Sequence, residues 1–431
     1  MTYTPVVDRV AIATALDPLA LVLFCLVFVA VALLTARRAS YGLCALILTT
    51  PFAFAHDVAH TTATLPKCAL LGTLLGLTCY RGATAAIRRR PAALLIVVLC
   101  TYIAAIVLSA MHAAHRAEVA RETLKWLEYA AFFVASYLCY TFDPDDALPL
   151  NSTAIVALVV AASALVQEFA GAPSGLYIGS AIVPRIAGFL EGPNQLAAYI
   201  TIAFCIIAAW NVARPSRLLA LALGLIACAD VLTFSRAGVL TLLSGIAIVV
   251  FWSGKRAWTA WRPAIAGACA GVVGAIWWAI YAHTPGVLRV SLAGSAYAGG
   301  VGNRAELWSA AWRMFRAHPI FGVGAGNFEL ELPYYGLYGV RTHANSWYLQ
   351  SLAEGGLVLF AATVALVVAS IRTFLQRPVI ARLREQSPWV AAALAASVAL
   401  ALHQVVDDFV FYPKVGGEWF VLLGIAAAAL R

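Results

Sequence analysis

The chain has 431 residues, of which 63% are hydrophobic and only 11% are charged, and its formal net charge is +9. Soluble domains contain roughly 25% charged residues, so this composition excludes an array of soluble domains and indicates a membrane protein. The basic surplus fits loops that contact the cytoplasmic side of a membrane, and it does not indicate a nucleic-acid partner.

Apolar segments follow one another along the chain, and each is close to the roughly 20 residues that a helix needs to cross a bilayer. They predict an all-α polytopic membrane protein with about 12 transmembrane helices. The segments lie at residues 19–35, 41–55, 66–80, 91–110, 124–141, 151–169, 195–212, 217–233, 237–253, 263–282, 347–370, 388–405 and 416–430.

Three regions follow from this pattern. We expect a transmembrane bundle of about 10 helices over residues 1–282, a long outward loop with a short amphipathic helix over 283–346, and C-terminal transmembrane helices over 347–431. Arginine and lysine residues concentrate in alternate short loops, and placing those loops in the cytoplasm requires the N-terminus to lie outside.

The outward loop contains two local patterns. Asn303-x-x-Glu306 resembles a capping box and predicts a short helix that ends near His318-Pro319. Arg304 shares the face of its apolar stripe, and such a helix suits the membrane interface. The stripe comprises Trp308, Ala311, Trp312 and Phe315. The glycine-rich turn Phe321–Asn327 is not a dinucleotide fingerprint, because no βαβ unit surrounds it.

A polar stripe runs from the end of this loop into the next apolar segment. If residues 343 onward are helical, His343, Ser346, Gln350 and Glu354 share one face. An amide and a carboxylate at membrane depth are costly unless they face a bundle interior or a wet cavity. His343 is therefore a candidate for chemistry at a membrane surface.

Two further arginines stand alone in apolar surroundings. Arg236 follows Ser235 in a short turn between two apolar segments, and Arg185 lies just before another. A planar guanidinium held at membrane depth needs an anion, and phosphate matches its geometry well. Pairing with an acidic residue of the chain is the alternative, and both interpretations stay open. The acidic candidates are Glu191, Glu306, Glu354, Asp407 and Asp408.

Three weaker motifs each have a functional and a structural interpretation. Asp143-Pro-Asp145 has the D-x-D form of metal-dependent sugar-nucleotide transferases, but the topology places it in the cytoplasm and favours a turn or a helix start. His56 and His60 have the spacing of a zinc pair without an evident third ligand. His403 and Asp407, one turn apart, either orient His343 or make a plain polar contact.

Several motifs in a fixed order resemble the O-antigen ligase and polymerase superfamily, from about residue 60 to the C-terminus. The motifs are Arg185-x-x-Gly-Phe-x-x-x-Pro-Asn194, Thr233-Phe-Ser-Arg236-Ala-Gly, Asn303-Arg-Ala-Glu-Leu-Trp308, Pro319-Ile-Phe-Gly-Val-Gly324 and the segment from His343-Ala-Asn345 to Glu354-x-Gly356. The length and the expected lack of an extra C-terminal domain resemble the ligase branch (WaaL-type).

The resemblance implies a GT-C-like glycosyltransferase of the bacterial inner membrane with an active site that faces the periplasm. Such an enzyme moves a finished polysaccharide, the O-antigen, from undecaprenyl pyrophosphate to a hydroxyl of lipid A–core in lipopolysaccharide biosynthesis. It works by inversion and without a metal, a cofactor or ATP.

Residue by residue, the resemblance assigns catalytic roles to His343, Arg304 and Arg236. The two arginines would stabilise the pyrophosphate, and His343 would act as general base or as a donor to the diphosphate. The residues expected to bind substrate are Arg185, Asn194, Arg341, Asn345 and Glu354.

Other functions remain possible interpretations of the sequence. A chain polymerase or a protein O-oligosaccharyltransferase would differ only in the acceptor. A lipid-linked glycan transporter is a second class, but a carrier is expected to have internal repeats, and the two halves of this sequence show no convincing repeat.

Overall fold

The computed structural model describes residues 18–52, 55–58, 61–171, 174–178, 181–253, 301–375 and 387–430. The predicted apolar segment at 263–282 lies outside the described residues, as do His60 and the part of the predicted outward loop before residue 301.

Helices dominate this part of the chain. In chain order they are α1 (Pro18–Arg37), α2 (Ala39–Thr49), α3 (Leu65–Leu77), α4 (Ala83–Ile87), α5 (Arg90–Ser109), α6 (Arg116–Phe142), α7 (Ala147–Ala170), α8 (Pro193–Ala213), α9 (Arg217–Leu232), α10 (Arg236–Ser253), α11 (Val301–Ala317), α12 (Phe328–Glu331), α13 (Trp347–Phe374), α14 (Pro388–His403) and α15 (Pro413–Ala429). A 3-10 helix spans Leu332–Tyr335.

Two antiparallel hairpins add short strands that an all-α prediction omits. Strands β1 (Ala55–Val58) and β2 (Thr61–Thr64) pair with Ala55 opposite Thr64. Strands β3 (Ser174–Ile178) and β4 (Ala181–Arg185) pair with Ser174 opposite Arg185. Each hairpin connects two helices at their ends, so the bundle itself remains helical.

Four helices are long and apolar enough to cross a membrane: the part of α5 from Pro91, and α7, α8 and α13. Shorter apolar helices accompany them, including α2, α3 and α14. The protein is therefore a helical multi-pass membrane protein, as the composition predicts. The number of about 12 spans stays a prediction.

Helix α8 lies at the centre of the bundle, where it packs against α9, α10 and α14, and almost all of its side chains are buried. Helix α15 packs on α6 at close range. A Cβ atom at Gly416 would meet the ring of Tyr129, and one at Gly424 would meet Ser136. Small residues at these two positions let the helices approach closely, which is how membrane helices gain packing energy.

The two ends of the bundle carry different chemistry. At one end, Arg38 forms ion pairs of 2.7 Å with both Asp143 and Asp145. Asp145 Oδ1 also accepts hydrogen bonds from the N–H groups of Ala147 and Leu148 at the start of α7. The D-x-D residues thus form a helix start and an ion-pair network, as the turn interpretation expects.

The prediction for α11 is partly wrong. Its C-terminal end at Ala317 agrees with the sequence, but the helix begins at Val301, so Asn303 lies inside it and not at the N-cap position that a capping box requires. Its buried face is formed by Leu307, Ala310, Ala311 and Met314, whereas Trp312 is 50% exposed. The predicted stripe is therefore rotated by about one residue. Arg304 lies one turn before Leu307 on the buried face.

The predicted helix from residue 343 begins later than expected. Helix α13 starts at Trp347, and the hydroxyl of Ser346 caps it by accepting a hydrogen bond from the N–H of Leu349 at 3.4 Å. His343 therefore belongs to the loop before the helix. A capping side chain stabilises a helix that begins just after it, because it satisfies an N–H group of the first turn. The cap at Ser346 therefore explains why α13 starts after His343.

Helix α13 is broken at Gly356, whose φ of 60° and ψ of −154° are not helical. The break leaves carbonyl and N–H groups without helical partners, and residues 319–324 supply new ones. Val323 and Gly324 donate to the carbonyls of Ala353 and Glu354 at 3.0 and 2.8 Å. The N–H of Leu357 donates to the carbonyl of Pro319 at 2.9 Å. The glycine-rich turn is thus fixed to the broken helix.

Candidate functional site

Asp407 lies at the centre of a polar cluster at the end of the bundle opposite Arg38. It belongs to the loop between α14 and α15, and it is 2% exposed. Its Oδ2 accepts a hydrogen bond from Asn194 Nδ2 at 2.8 Å and lies 3.7 Å from Arg304 Nη2. Its Oδ1 lies 3.4 Å from His343 Nε2. One carboxylate therefore joins residues from α8, α11 and the loop before α13.

The charges around Asp407 keep it ionised. Burial raises the pKa of this carboxyl, but the hydrogen bond and charge of His343 and the charge of Arg304 oppose burial and lower its pKa to about 2. A buried carboxylate without such partners would be protonated instead.

Aromatic contacts of the imidazole ring fix the position of His343 together with Asp407. Its ring stacks on Phe411, with centroids 5.3 Å apart, and meets the edge of Tyr412 at 5.7 Å. The N–H of Ala344 donates to Gln350 Oε1 at 2.7 Å and fixes the loop that carries the ring. Burial lowers the pKa of His343, but the hydrogen bond and charge of Asp407 outweigh burial and raise it above its usual value.

The partner of Nε2 determines what the other ring nitrogen can do. An ionised carboxylate only accepts hydrogen bonds. In neutral His343 the proton is therefore on Nε2, and this N–H donates a hydrogen bond to Asp407. Nδ1 then has a free lone pair. Among the described residues, no hydrogen bond to Nδ1 is formed, so this nitrogen is available to accept a proton from a bound molecule.

Arg185 lies next to this cluster. Its Nη2 donates to Asn194 Oδ1 at 2.9 Å, and its Nε donates to the carbonyl of Thr233 at 2.7 Å. Burial and the nearby charge of Arg304 lower the pKa of Arg185 to about 10. The guanidinium groups of Arg185 and Arg304 repel each other, and both lie near the carboxylate of Asp407. An additional anion bound between them would reduce this repulsion.

Arg236 is the first residue of α10, directly after the turn 233–235 that Arg185 contacts. Phe234 in this turn has a φ of 52°, and the Ser235 hydroxyl accepts a hydrogen bond from the N–H of Gly238 at 3.2 Å, which caps α10. Arg236 itself is exposed. The guanidinium and the N-terminus of α10 together favour an anion there. Within the described part of the chain, no hydrogen bond or ion pair connects Arg236 to Asp407 or His343.

The other predicted substrate-binding residues lie apart from Asp407. Arg341 is exposed two residues before His343, and Asn345, with a φ of 50°, bends the loop after it. Glu354 is 7% exposed, and its Oε1 accepts hydrogen bonds from the N–H of Phe328 at 3.2 Å and from Gln350 Nε2 at 2.7 Å. Glu354 therefore links α13 to the segment after the glycine-rich turn.

The position of His403 decides between the two alternatives left open for it. Its Nδ1 lies 3.3 Å from the hydroxyl of Thr241, so His403 makes a plain polar contact between α14 and α10. The residue of this pair that contacts His343 is Asp407, at 3.4 Å. In the sequence, Asp407 stands out only as an acidic residue near the end of an apolar segment. The sequence alone does not connect it to Asn194 and Arg304.

A cavity of about 240 Å³ lies next to this cluster, because Phe411, whose ring stacks on His343, also lines it. Phe411 and Asp408 line it together with residues of α5, α6 and α13. The loop 404–412 therefore borders both the cavity and the polar cluster around Asp407.

A comparison with protein-family models identifies one match. Residues 219–364 match the model described as O-antigen ligase, which is about a third of the chain. The matched part includes Arg236, Arg304, His343 and Glu354, whereas Arg185, Asn194 and Asp407 lie outside it. No curated protein matches the chain. In residues 219–364, which contain the turn before Arg236 and the loop of His343, this multi-pass membrane protein is similar to the O-antigen ligase family.

Proposed function

We propose that the protein is an O-antigen ligase, which transfers a polysaccharide from undecaprenyl pyrophosphate to a hydroxyl of lipid A–core on the periplasmic side of the bacterial inner membrane. The observation that carries the proposal is the cluster around Asp407, in which a base-competent histidine lies beside two arginines. The family match over residues 219–364 supports the same chemistry.

The arginines account for the donor half of the reaction. When the bond between the anomeric carbon and the pyrophosphate oxygen breaks, the leaving group gains negative charge. Arg304 and Arg236 bind this charge, and Arg185, which donates to Asn194 at 2.9 Å, supports them. Charges that are fixed before the reaction stabilise the transition state more than the ground state.

His343 accounts for the acceptor half. Nδ1 takes the proton of the acceptor hydroxyl while its oxygen attacks the anomeric carbon, and the resulting imidazolium is stabilised by Asp407 at 3.4 Å. One bond forms and one breaks in a single displacement, so the anomeric configuration inverts. Undecaprenyl pyrophosphate leaves with the electron pair of the broken bond, and the imidazolium then releases its proton to water, which restores the neutral base.

Reconstituted transfer tests this proposal. The purified full-length protein is incubated with undecaprenyl-pyrophosphate-linked glycan and lipid A–core, in the presence of EDTA and without nucleotide. A shifted lipopolysaccharide ladder that His343→Ala fails to produce supports the ligase function. Growth of the glycan on a second donor molecule would instead identify a polymerase, and the absence of a product with every acceptor would overturn the transferase function and favour transport.

A further inference from the structure

The cavity behind Phe411 combines aromatic and acidic side chains. Trp126 and Trp347 line it with their rings stacked, 6.1 Å apart and 12° from parallel, and Tyr102 lies beside Trp126. Its volume of about 240 Å³ is slightly below the roughly 300 Å³ at the lower end of small-molecule sites. A ligand with apolar faces and the size of one or two sugar rings fits this description.

The charge of the lining excludes an anion. Five acidic residues line the cavity, and two of them pair with its two basic residues, so Glu329, Glu354 and Asp408 form the acidic surplus. Arg121 bonds Glu118, and Lys125 lies 2.8 Å from Glu122. The acidic surplus repels phosphate groups, whereas Arg185 and Arg304, which lie near Asp407 in the loop 404–412, attract them. The pyrophosphate of a donor is therefore directed away from the cavity.

One buried acidic group points to a polar ligand in the cavity. Asp408 is 3% exposed and lines the cavity, and its Oδ1 accepts a hydrogen bond from the N–H of Phe411 at 3.2 Å. No hydrogen bond to its Oδ2 is formed among the described residues. Oδ2 is not fully enclosed by the protein, so a hydroxyl or an ammonium group of a ligand in the cavity can donate a hydrogen bond to it.

The cavity is adjacent to the candidate base. The ring of Phe411 lines the cavity and also stacks on His343, with centroids 5.3 Å apart, so one side chain contacts both. A sugar ring has apolar C–H faces that suit the aromatic walls and hydroxyls that donate to carboxylates. A ring held there would contact Phe411, which packs directly on the imidazole of His343.

We propose that this cavity holds a sugar ring of the acceptor, next to the hydroxyl that reacts, and that it selects uncharged or amino-bearing hexoses against phosphorylated or acidic ones. This inference rests on the proposed transferase function for its biological role, but the selectivity for neutral or cationic sugars follows from the cavity itself. Glu329, which lines the cavity from α12, is the residue that tests it.

Direct binding is measured with simple sugars. Saturation-transfer NMR is recorded on the full-length protein in a detergent without a sugar headgroup, with methyl β-glucoside, methyl β-glucosaminide and glucose 6-phosphate as probes. We expect the first two to bind and to compete with each other, and the phosphate to bind much more weakly. Glu329→Gln should raise the Kd of the glucosaminide roughly tenfold, which is the loss of one hydrogen bond to a charged group. Binding of glucose 6-phosphate as tightly as methyl glucoside would overturn the proposal.

A matched control and a kinetic readout separate this proposal from the proposed function. Glu331→Gln changes the same residue type two positions away and outside the cavity, so it should leave sugar binding unchanged. In the transfer assay, Glu329→Gln should raise KM for the acceptor and leave KM for the donor unaltered. Transfer with an unchanged acceptor KM would reject the sugar site and keep the ligase. Sugar binding without any transfer by the wild type would reject the ligase and keep the sugar site.

Discussion

Asp407 and His343 are 64 residues apart in the chain, and their side chains meet at 3.4 Å beneath the ring of Phe411. The same carboxylate also bonds Asn194 and lies 3.7 Å from Arg304. One buried acidic group thus orients the candidate base and one of the arginines at once. This arrangement couples the two halves of the proposed reaction, because a change at Asp407 alters both.

Replacing His343 by alanine should remove the general base and leave the fold intact. We expect the transfer rate to fall by about 10²- to 10⁴-fold, because positioned bases contribute that much. The ring is packed against two aromatic residues, so the melting temperature should also be recorded. His318→Ala, at a partly exposed loop position, is the matched control and should transfer normally. Transfer by His343→Ala at the wild-type rate would rule out the base assignment.

The pH dependence should report the Asp407–His343 pair. Because Asp407 raises the pKa of His343, the neutral base is lost as the pH falls through a value above 6.5, and the transfer rate falls with it. Asp407→Asn removes this effect, so the acidic limb of the rate profile should move to lower pH while the maximal rate decreases. Asp143→Asn, at the other end of the bundle, should leave the limb in place. An unmoved limb in Asp407→Asn would show that another group titrates.

The arginine at position 304 should act through the geometry of its guanidinium as well as its charge. Arg304→Ala is expected to lower kcat/KM for the donor by about 10²-fold or more, as the loss of a preorganised donor does. Arg304→Lys keeps the charge but not the planar fork, so it should recover only part of this loss. Arg313→Ala on the exposed face of α11 serves as the control. Full activity of the lysine variant would mean that charge alone matters.

The glycine-rich turn should be sensitive to a single methyl group at Gly322. This residue has a φ of 64°, and a Cβ atom there would overlap the backbone carbonyl of Glu354. Gly322→Ala should therefore lower the free energy of unfolding by more than the roughly 1–3 kcal/mol that backbone strain alone costs. Gly339→Ala has a similar φ of 70° and open space around the Cβ position, so it isolates the strain. Equal melting temperatures for the two variants would show that the overlap is relieved elsewhere.

The sequence predicted the kinds of groups at the site better than their connections. Arg185, Asn194, Arg304 and His343 were all expected near one end of the bundle, and the structure brings them together. Asp407 was recognised only as a possible partner, because the residue that joins two loops is determined by how those loops pack. Periodicity describes helix faces, but it does not describe contacts between loops.

Two local predictions failed for a related reason. The sequence predicts a helix cap at Asn303 and a helix from His343 onward, yet α11 begins before the first residue and α13 begins after the second. In both cases a short motif fits several registers, and tertiary contacts choose among them. The cap at Ser346 and the bond from Ala344 to Gln350 fix the observed start of α13.

The break at Gly356 divides α13 into two parts with different attachments. Residues 347–355 are bonded to the turn 319–324 and to the loop 404–412, since the N–H of Trp347 donates to the carbonyls of Gln404 and Asp407 at 3.0 Å. Residues 357–374 form the longer apolar part. A helix that tilts to match the thickness of a bilayer normally moves along its whole length. Here Gly356 interrupts the helix, but the turn 319–324 bonds both sides of the break, since Pro319 accepts a hydrogen bond from the N–H of Leu357. We therefore expect a change of tilt in residues 357–374 to reach the site near His343 through this turn and not through a continuous helix.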